Sequence, residues 1–323
     1  MFFRPFATLS LLLLGVTLWS LTSGSVEIPL ATLWGLLSGD AISPMVHDIL
    51  LTLRLPRIVA AAVVGGLLGL SGVILQVLLR NPLADPYVLG VSGGASVAAL
   101  LVMALGGSML TVPGAAMLGA ILAMLLVFGF SRASDGLHSH RLLLTGVVLA
   151  SGWGALINLI LTIAPQGQLK GMLFWLMGDL ERAESPLWPG IILLIAMLLT
   201  WRLGRLLNLL ALGEARAASM GVAVGVLRTG LLILTSLLTA LAVTTAGAVG
   251  FVGLVVPHML RLLGMRDHRL LAPASALAGA ALLIAADTIA RTLFSPQQLP
   301  VGVVTAFIGV PLFLLILRRG RSG

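Results

Sequence analysis

Side chains that could do chemistry are scarce in this chain, and most of them are arginine. Asp287 and Arg291 stand four residues apart in ADTIAR, so on a helix they share one face. Asp287 is the one carboxylate inside an apolar run. Two roles suit such a group: proton or ion coupling, or an ion pair that orients Arg291. His138 and His140 flank Ser139, His258 lies in PHMLR, and His268 follows Asp267. For His138 and His140 the readings are haem contact or pH response against a solvated loop, and for His258 and His268 metal binding against a structural role. None has zinc-like spacing, so no metal site is expected. Arg54 and Arg57 in LRLPR suit either snorkelling at an interface or meeting an acidic partner.

Motifs that would make the chain an enzyme are missing. No G-x-x-x-x-G-K-[ST] phosphate loop, H-E-x-x-H or G-x-S-x-G occurs, and the sole lysine, Lys170, lies in QLKGM. There is no cysteine, hence no disulfide framework and no thiol chemistry. A transporter of this sequence draws its energy from another chain or from an ion gradient. The gradient alternative would make it a secondary transporter with Asp287 as the coupling site.

The elements that hold these residues are apolar. Of the 323 residues 59% are hydrophobic and only 9% charged, where a soluble domain has roughly 25% charged. Mean hydropathy is +1.13. The apolar runs approach the ~20 residues of a membrane-crossing helix, so an all-α integral membrane protein is expected rather than a β-barrel. Abundant glycine and alanine suit close helix contact. No segment is long enough for a separate soluble domain, so residues 1–323 read as one transmembrane domain. The net charge of +8 needs no nucleic acid, because membrane proteins gather Lys and Arg in cytoplasmic loops.

Ten spans are expected, at about Pro5–Ser23, Pro56–Leu79, Gly90–Leu105, Val112–Phe130, Leu142–Ala164, Pro186–Leu203, Thr229–Ala248, Gly250–Leu263, Ala272–Leu293 and Pro300–Leu317. The first reads as a retained span, since no Ala-x-Ala cleavage site follows it. The mixed residues 24–55 are expected at an interface. With both termini cytoplasmic, fourteen of the 19 basic residues fall on that side, leaving Arg54, Arg57, Lys170, Arg182 and Arg291 outside. Glu27, Asp40, Asp48, Asp179, Glu181 and Glu184 then lie outside as well. Spans two to five and seven to ten form two four-span sets entered in opposite directions, an arrangement common in transporters.

Two segments interrupt this pattern. Asn208–Arg228, NLLALGEARAASMGVAVGVLR, is polar, with a short helix expected over residues 215–220 between breaks at Gly213 and Gly221. It reads either as a solvated loop or as a docking surface for a soluble partner. Arg80–Ala95, RNPLADPYVLGVSGGA, cannot be one helix, because Pro82 and Pro86 forbid it, while Asn81 and Asp85 can satisfy freed backbone groups. It reads as a broken re-entry or a tight structural hairpin.

This motif, followed by GFVGLVVPHMLRLLGMRDHRLLAPASALAGAALLIAADTIART and LPVGVVTAFIGVPLF, closely resembles the membrane permeases of ABC importers for ferric siderophores, haem and cobalamin. The resemblance covers nearly the whole chain and is weakest before about Leu51. It implies a ten-helix permease in the bacterial inner membrane that works with a second copy of itself. It implies two ATP-binding subunits, which would carry ATP and Mg, and a periplasmic substrate-binding protein. Short cytoplasmic coupling helices are implied between the sixth and seventh spans, within 208–228, with Leu212, Gly213, Glu214, Arg216 and Gly221 facing the ATPase. The same resemblance implies a translocation gate at Asn81, Leu83, Ser139 and His140. It implies docking of the binding protein at Arg54, Arg57 and Arg291. Histidines beside Ser139 depart from the small hydroxylated residues more usual there.

Overall fold

One helix is surrounded on every side, and its sequence explains how. The computed structural model describes residues 3–39, 43–108, 110–133, 136–137, 139–181 and 186–319. In chain order the helices are α1 (Phe3–Thr22), α2 (Leu30–Ser38), α3 (Pro44–Asp48), α4 (Leu55–Leu78), α5 (Val91–Ala104), α6 (Val112–Ser131), α7 (Ser139–Ile163) and α8 (Gln166–Met177). There follow α9 (Leu187–Ala211), α10 (Glu214–Ser219), α11 (Val224–Ala246), α12 (Val252–Leu262), α13 (His268–Thr292) and α14 (Val301–Arg319). A two-residue antiparallel pair, β1 (Arg132–Ala133) with β2 (Gly136–Leu137), joins α6 to α7.

The central helix is α4. It is continuous with α3 through a π-helical stretch, Ile49–Arg54, so an apolar path of 35 residues runs from Pro44 to Leu78. The most apolar window of that path is 89% buried, against 6% for α1 and 11% for α7. Small residues permit the enclosure. Gly65 faces Gly279 of α13, Gly69 faces the Ser275 carbonyl, and Gly72 faces Gly253 of α12 so closely that a Cβ would overlap the opposing carbonyl oxygen in each case. Gly94 of α5 and Gly119 of α6 repeat the device. Helices α9, α11, α12 and α13 therefore pack directly onto α4.

Among the described residues, seven helical stretches are long and apolar enough to cross a membrane, while α5, of 14 residues, and α12, of 11, are shorter. The all-α membrane class is as expected, but two of the ten expected spans, those of α5 and α12, fall short of full length. Other differences lie at the edges. Arg54 and Arg57 do not sit where the second span begins, because helical structure starts ten residues earlier at Pro44. Residues 24–55 hold a helix of their own, α2, and the link after α7 holds α8. The sixth span runs on to Ala211, into the polar segment.

The two four-span sets share one feature. In each, a long buried helix is followed by a break and then a short helix. The residue before the short helix is left-handed both times: Gly90 at φ 70° before α5, and Phe251 at φ 70° before α12. A bulky residue in that region is strained unless its surroundings hold it. Phe251 is held against Gly309 of α14.

Candidate functional site

The polar segment begins while α9 is still helical. Asn208 ties that helix to α13: its amide nitrogen donates to Asp267 Oδ1 at 2.9 Å, and its oxygen accepts from the His268 backbone N–H at 3.0 Å. Gly213, at φ 114°, turns the chain into α10. This helix closes with a glycine in the left-handed region, Gly221 at φ 81°, and with paired bonds from Gly221 N to Ala218 O (2.9 Å) and Val222 N to Ala217 O (3.1 Å). The expected short helix is thus present one residue earlier than anticipated. Where two short coupling helices were expected, the described residues hold one, α10, followed after four residues by the start of α11.

Charge holds α10 in place. Glu214, in its first turn, accepts from Arg228 Nη1 at 2.9 Å, and Arg228 is buried. A carboxylate at a helix N-terminus also suits the dipole. Ala217 is fully buried beneath, while Leu212, Arg216 and Met220 face outward. The segment therefore presents a small apolar and cationic face on a fixed base. Of the residues expected there, Glu214 is turned inward to its ion pair and Leu212 and Arg216 remain presented.

The broken segment lies against it. Arg80 takes φ 47°, and its guanidinium approaches Gly213. Asn81 Oδ1 accepts from Leu83 N at 2.9 Å and Asp85 Oδ1 from Tyr87 N at 2.8 Å, so each residue before a proline repairs the backbone two residues on. Burial pushes the Asp85 carboxyl above its ordinary value, and the Tyr87 N–H it accepts opposes that shift. A 3-10 turn, Pro86–Leu89, follows. The Tyr87 hydroxyl donates to Val249 O at 3.0 Å and accepts from Val249 N at 2.9 Å, joining the two breaks of the chain. Of the expected gate residues, Asn81 is exposed and Leu83 half-buried. Helix α7 meets this segment at Gly146, packed on the Val88 carbonyl. Ser139 and His140 begin α7, but their side chains, like His138, Asp40, Arg182, Glu184 and Arg321, lie outside the described residues.

About 35 Å away along α4, by helical rise, is the arginine cluster. Arg57 grips Asp287 with Nε at 3.0 and 2.9 Å and Nη2 at 2.8 Å, and gives Nη1 to Gln298 at 2.8 Å. Arg291 Nε is 3.8 Å from the same carboxylate. The partner expected from i,i+4 spacing is therefore the weaker one. A planar guanidinium from another helix can meet both carboxylate oxygens, which Arg291 in this position does not. Arg291 instead bonds the Ser20 hydroxyl (2.8 Å) and carbonyl, while Arg54 bonds the carbonyls of Leu21 and Val26. Two cations thus cap the C-terminal carbonyls of α1. The three arginines line a cavity of about 370 Å³ with Ser25, Glu181 and Gln298. Beside it a cavity of about 910 Å³ is lined by Gln168, Lys170, Phe174, Asp179 and Gln297. Sequence reasoning missed Gln298 and the α1 carbonyls, which carry no signal at the level of residue type.

Among the described residues, no three His, Asp or Glu side chains gather as a metal site. The arrangement is a helical bundle with an exposed polar segment, held by the Glu214–Arg228 pair, at one end and an arginine cluster around Asp287 at the other.

Known proteins share this whole plan. Residues 11–319 match the FecCD transport family. The hemin transport system permease protein HmuU of Yersinia pestis is 40% identical, with 97% of this chain and 95% of that protein covered. The vitamin B12 import system permease protein BtuC of Klebsiella pneumoniae is 39% identical, covering 97% and 93%. An uncharacterised ABC transporter permease of Bacillus subtilis, YvrB, is 40% identical over 94% of this chain and 90% of its own. Among solved structures, an inward-facing metal-chelate type ABC transporter superposes with a TM-score of 0.86 at 33% identity, covering 98% of this chain and 99% of that one. PsaBC of Streptococcus pneumoniae shares the fold at a TM-score of 0.58 and 17% identity. With these matches along nearly its full length, the chain belongs to the FecCD transport family and is a multi-pass ABC importer permease, not the ATP-hydrolysing subunit.

Proposed function

We propose that this permease carries a metal chelate, namely a ferric siderophore, haem or cobalamin, from a periplasmic binding protein into the cytoplasm. Two copies form the pathway in the bacterial inner membrane, each with ten crossings, two of them on the short helices α5 and α12, and with both termini cytoplasmic. Two ATP-binding subunits, which bind ATP and Mg, dock on 208–228, so the segment reads as a docking surface rather than a solvated loop. The observation that carries this reading is the outward face of Leu212, Arg216 and Met220 on a helix anchored by the Glu214–Arg228 pair. Relatives named for hemin and vitamin B12 transport, about equally similar, support the substrate class.

Asn81 and Leu83, with Ser139 and His140, border the gate beside that face. Arg54, Arg57 and Arg291 receive acidic groups of the binding protein. Their guanidiniums face inward, so an incoming carboxylate competes with Asp287, Ser20, Leu21 and Val26 for them.

The test is Arg216→Glu. Arg216 is exposed and holds no ion pair among the described residues, whereas reversing Glu214 would also break the bond to Arg228. The expected result is loss of the co-purifying ATPase and of ATP-driven uptake from a panel of labelled cobalamin, haem and ferric siderophores. Unchanged association and uptake would refute the docking role.

A further inference from the structure

Gln76 is an uncharged amide, 3% exposed, in an otherwise apolar stretch of the most buried helix. Its neighbour across the interface explains it. Pro257 interrupts α12 and has no N–H, so the Gly253 carbonyl four residues earlier has no helical donor. That carbonyl is buried, and Gly72 of α4 is packed against it, which leaves no room for water. Buried carbonyls need a donor. Gln76 Nε2 lies 3.4 Å from Gly253 O and 3.2 Å from Leu254 O, and 3.4 Å from Ala84 O in the broken segment. Its Oε1 accepts from Arg261, one turn beyond the proline. One side chain thus holds α12 on both sides of its break.

We infer that Gln76 is a positioning residue for transport: it sets the angle of α12 across Pro257 and ties that angle to the broken segment. The inference rests on the importer reading. Its path to the coupling end is short, because the segment that contains Ala84 starts at Arg80, whose guanidinium approaches Gly213. Displacement of the polar segment passes through Arg80–Ala84 to Gln76, and from there to α12.

Two measurements test it, both on the full chain. In proteoliposomes with the cognate ATPase and binding protein, uptake per ATP hydrolysed is compared for the wild type, Gln76→Leu, Pro257→Ala and the double variant, using labelled cobalamin, haem and ferric siderophores. Gln76→Leu lowers the ratio about tenfold, the scale of one buried acceptor left unpaired. Pro257→Ala returns the helical N–H to Gly253 O, so in that background the same change costs clearly less, the remaining loss being that of the bond to Ala84 O. Arg261 is half-exposed and can turn to water, so the double variant isolates the Gly253 carbonyl. An equal loss in both backgrounds overturns the inference.

The second measurement needs no substrate. The chain lacks cysteine, so Leu263→Cys, at the exposed end of α12, takes a single trifluoromethyl label. Its fluorine NMR signal is expected to split or broaden in Gln76→Leu and to regain one line in the double variant. An unchanged signal in Gln76→Leu refutes the positioning role. Failure of the wild type to import any of the panel refutes the importer's substrate class instead and leaves the fluorine result to decide on Gln76.

Discussion

Replacing Asp287 by Asn separates an ATP-driven permease from an ion-coupled one. The carboxylate is 2% exposed, and Arg57, which grips it, is 14% exposed. Three of the four short contacts of Arg57 go to Asp287, and Arg291 shares the same group. Asparagine keeps one acceptor oxygen but removes the only anion paired, among the described residues, with these two partly buried guanidiniums. Removing one partner of a buried ion pair costs about 3–5 kcal/mol, mostly from the charge left behind. Asn retains one hydrogen bond, so the lower end, about 3 kcal/mol, is expected. Thermal unfolding in detergent should show this as a marked fall in melting temperature. ATP-driven uptake per folded molecule should be reduced only modestly. Changing both partners, as in Arg57→Met with Asp287→Leu, should recover most of the stability, because apolar replacement of a buried pair is often neutral. The reasoning fails if Asp287→Asn leaves stability untouched while abolishing transport, since that pattern belongs to a coupling carboxylate.

Three further outcomes follow from contacts already described. Gly72→Ala forces a methyl group onto the Gly253 carbonyl and should lower stability by about 1–3 kcal/mol, measured by thermal unfolding, whereas Gly15→Ala, in open space on α1, should not. Tyr87→Phe leaves the Val249 N–H and carbonyl without their shared hydroxyl and should cost about 1–3 kcal/mol, with faster proteolysis near the two breaks. For Asp85 the folded carboxyl titrates above its unfolded value, so the folded state binds the extra proton. Its contribution to stability is present at low pH and lost as pH rises through the folded pKa. Asp85→Asn, which keeps an oxygen for Tyr87 N, should therefore flatten the acid side of the stability profile without lowering stability at neutral pH.

Much of the plan was legible from residue types. Runs of apolar residues near membrane length placed the long helices, and Gly213 with Gly221 bounded α10 because only backbone geometry was at stake there. Pro82 and Pro86 announced the break after α4 for the same reason. What failed to read was contact across the chain. Arg57 and Asp287 are 230 residues apart, so the local i,i+4 pair with Arg291 was the only one spacing could offer. Arginines set between apolar residues suggested a rim, yet Arg54 is buried, since its cap on the α1 carbonyls is decided by packing. Helix α8 was overlooked because its twelve residues include Gln166, Gln168 and Lys170, which blur an apolar signal.

The capping of α1 by Arg54 and Arg291 also has a consequence for how the chain is made. Apart from Arg54 and neighbouring α4, α1 docks on α13, which is synthesised much later, and the bond from Arg291 to Ser20 spans 271 residues. At roughly 5–20 residues per second, α1 waits on the order of tens of seconds before that partner emerges from the ribosome. Until then its own apolar flank must keep it in the bilayer, with its last carbonyls uncapped by Arg291. A chain interrupted before residue 291 would leave α1 as a loose span, open to the membrane's quality-control proteases.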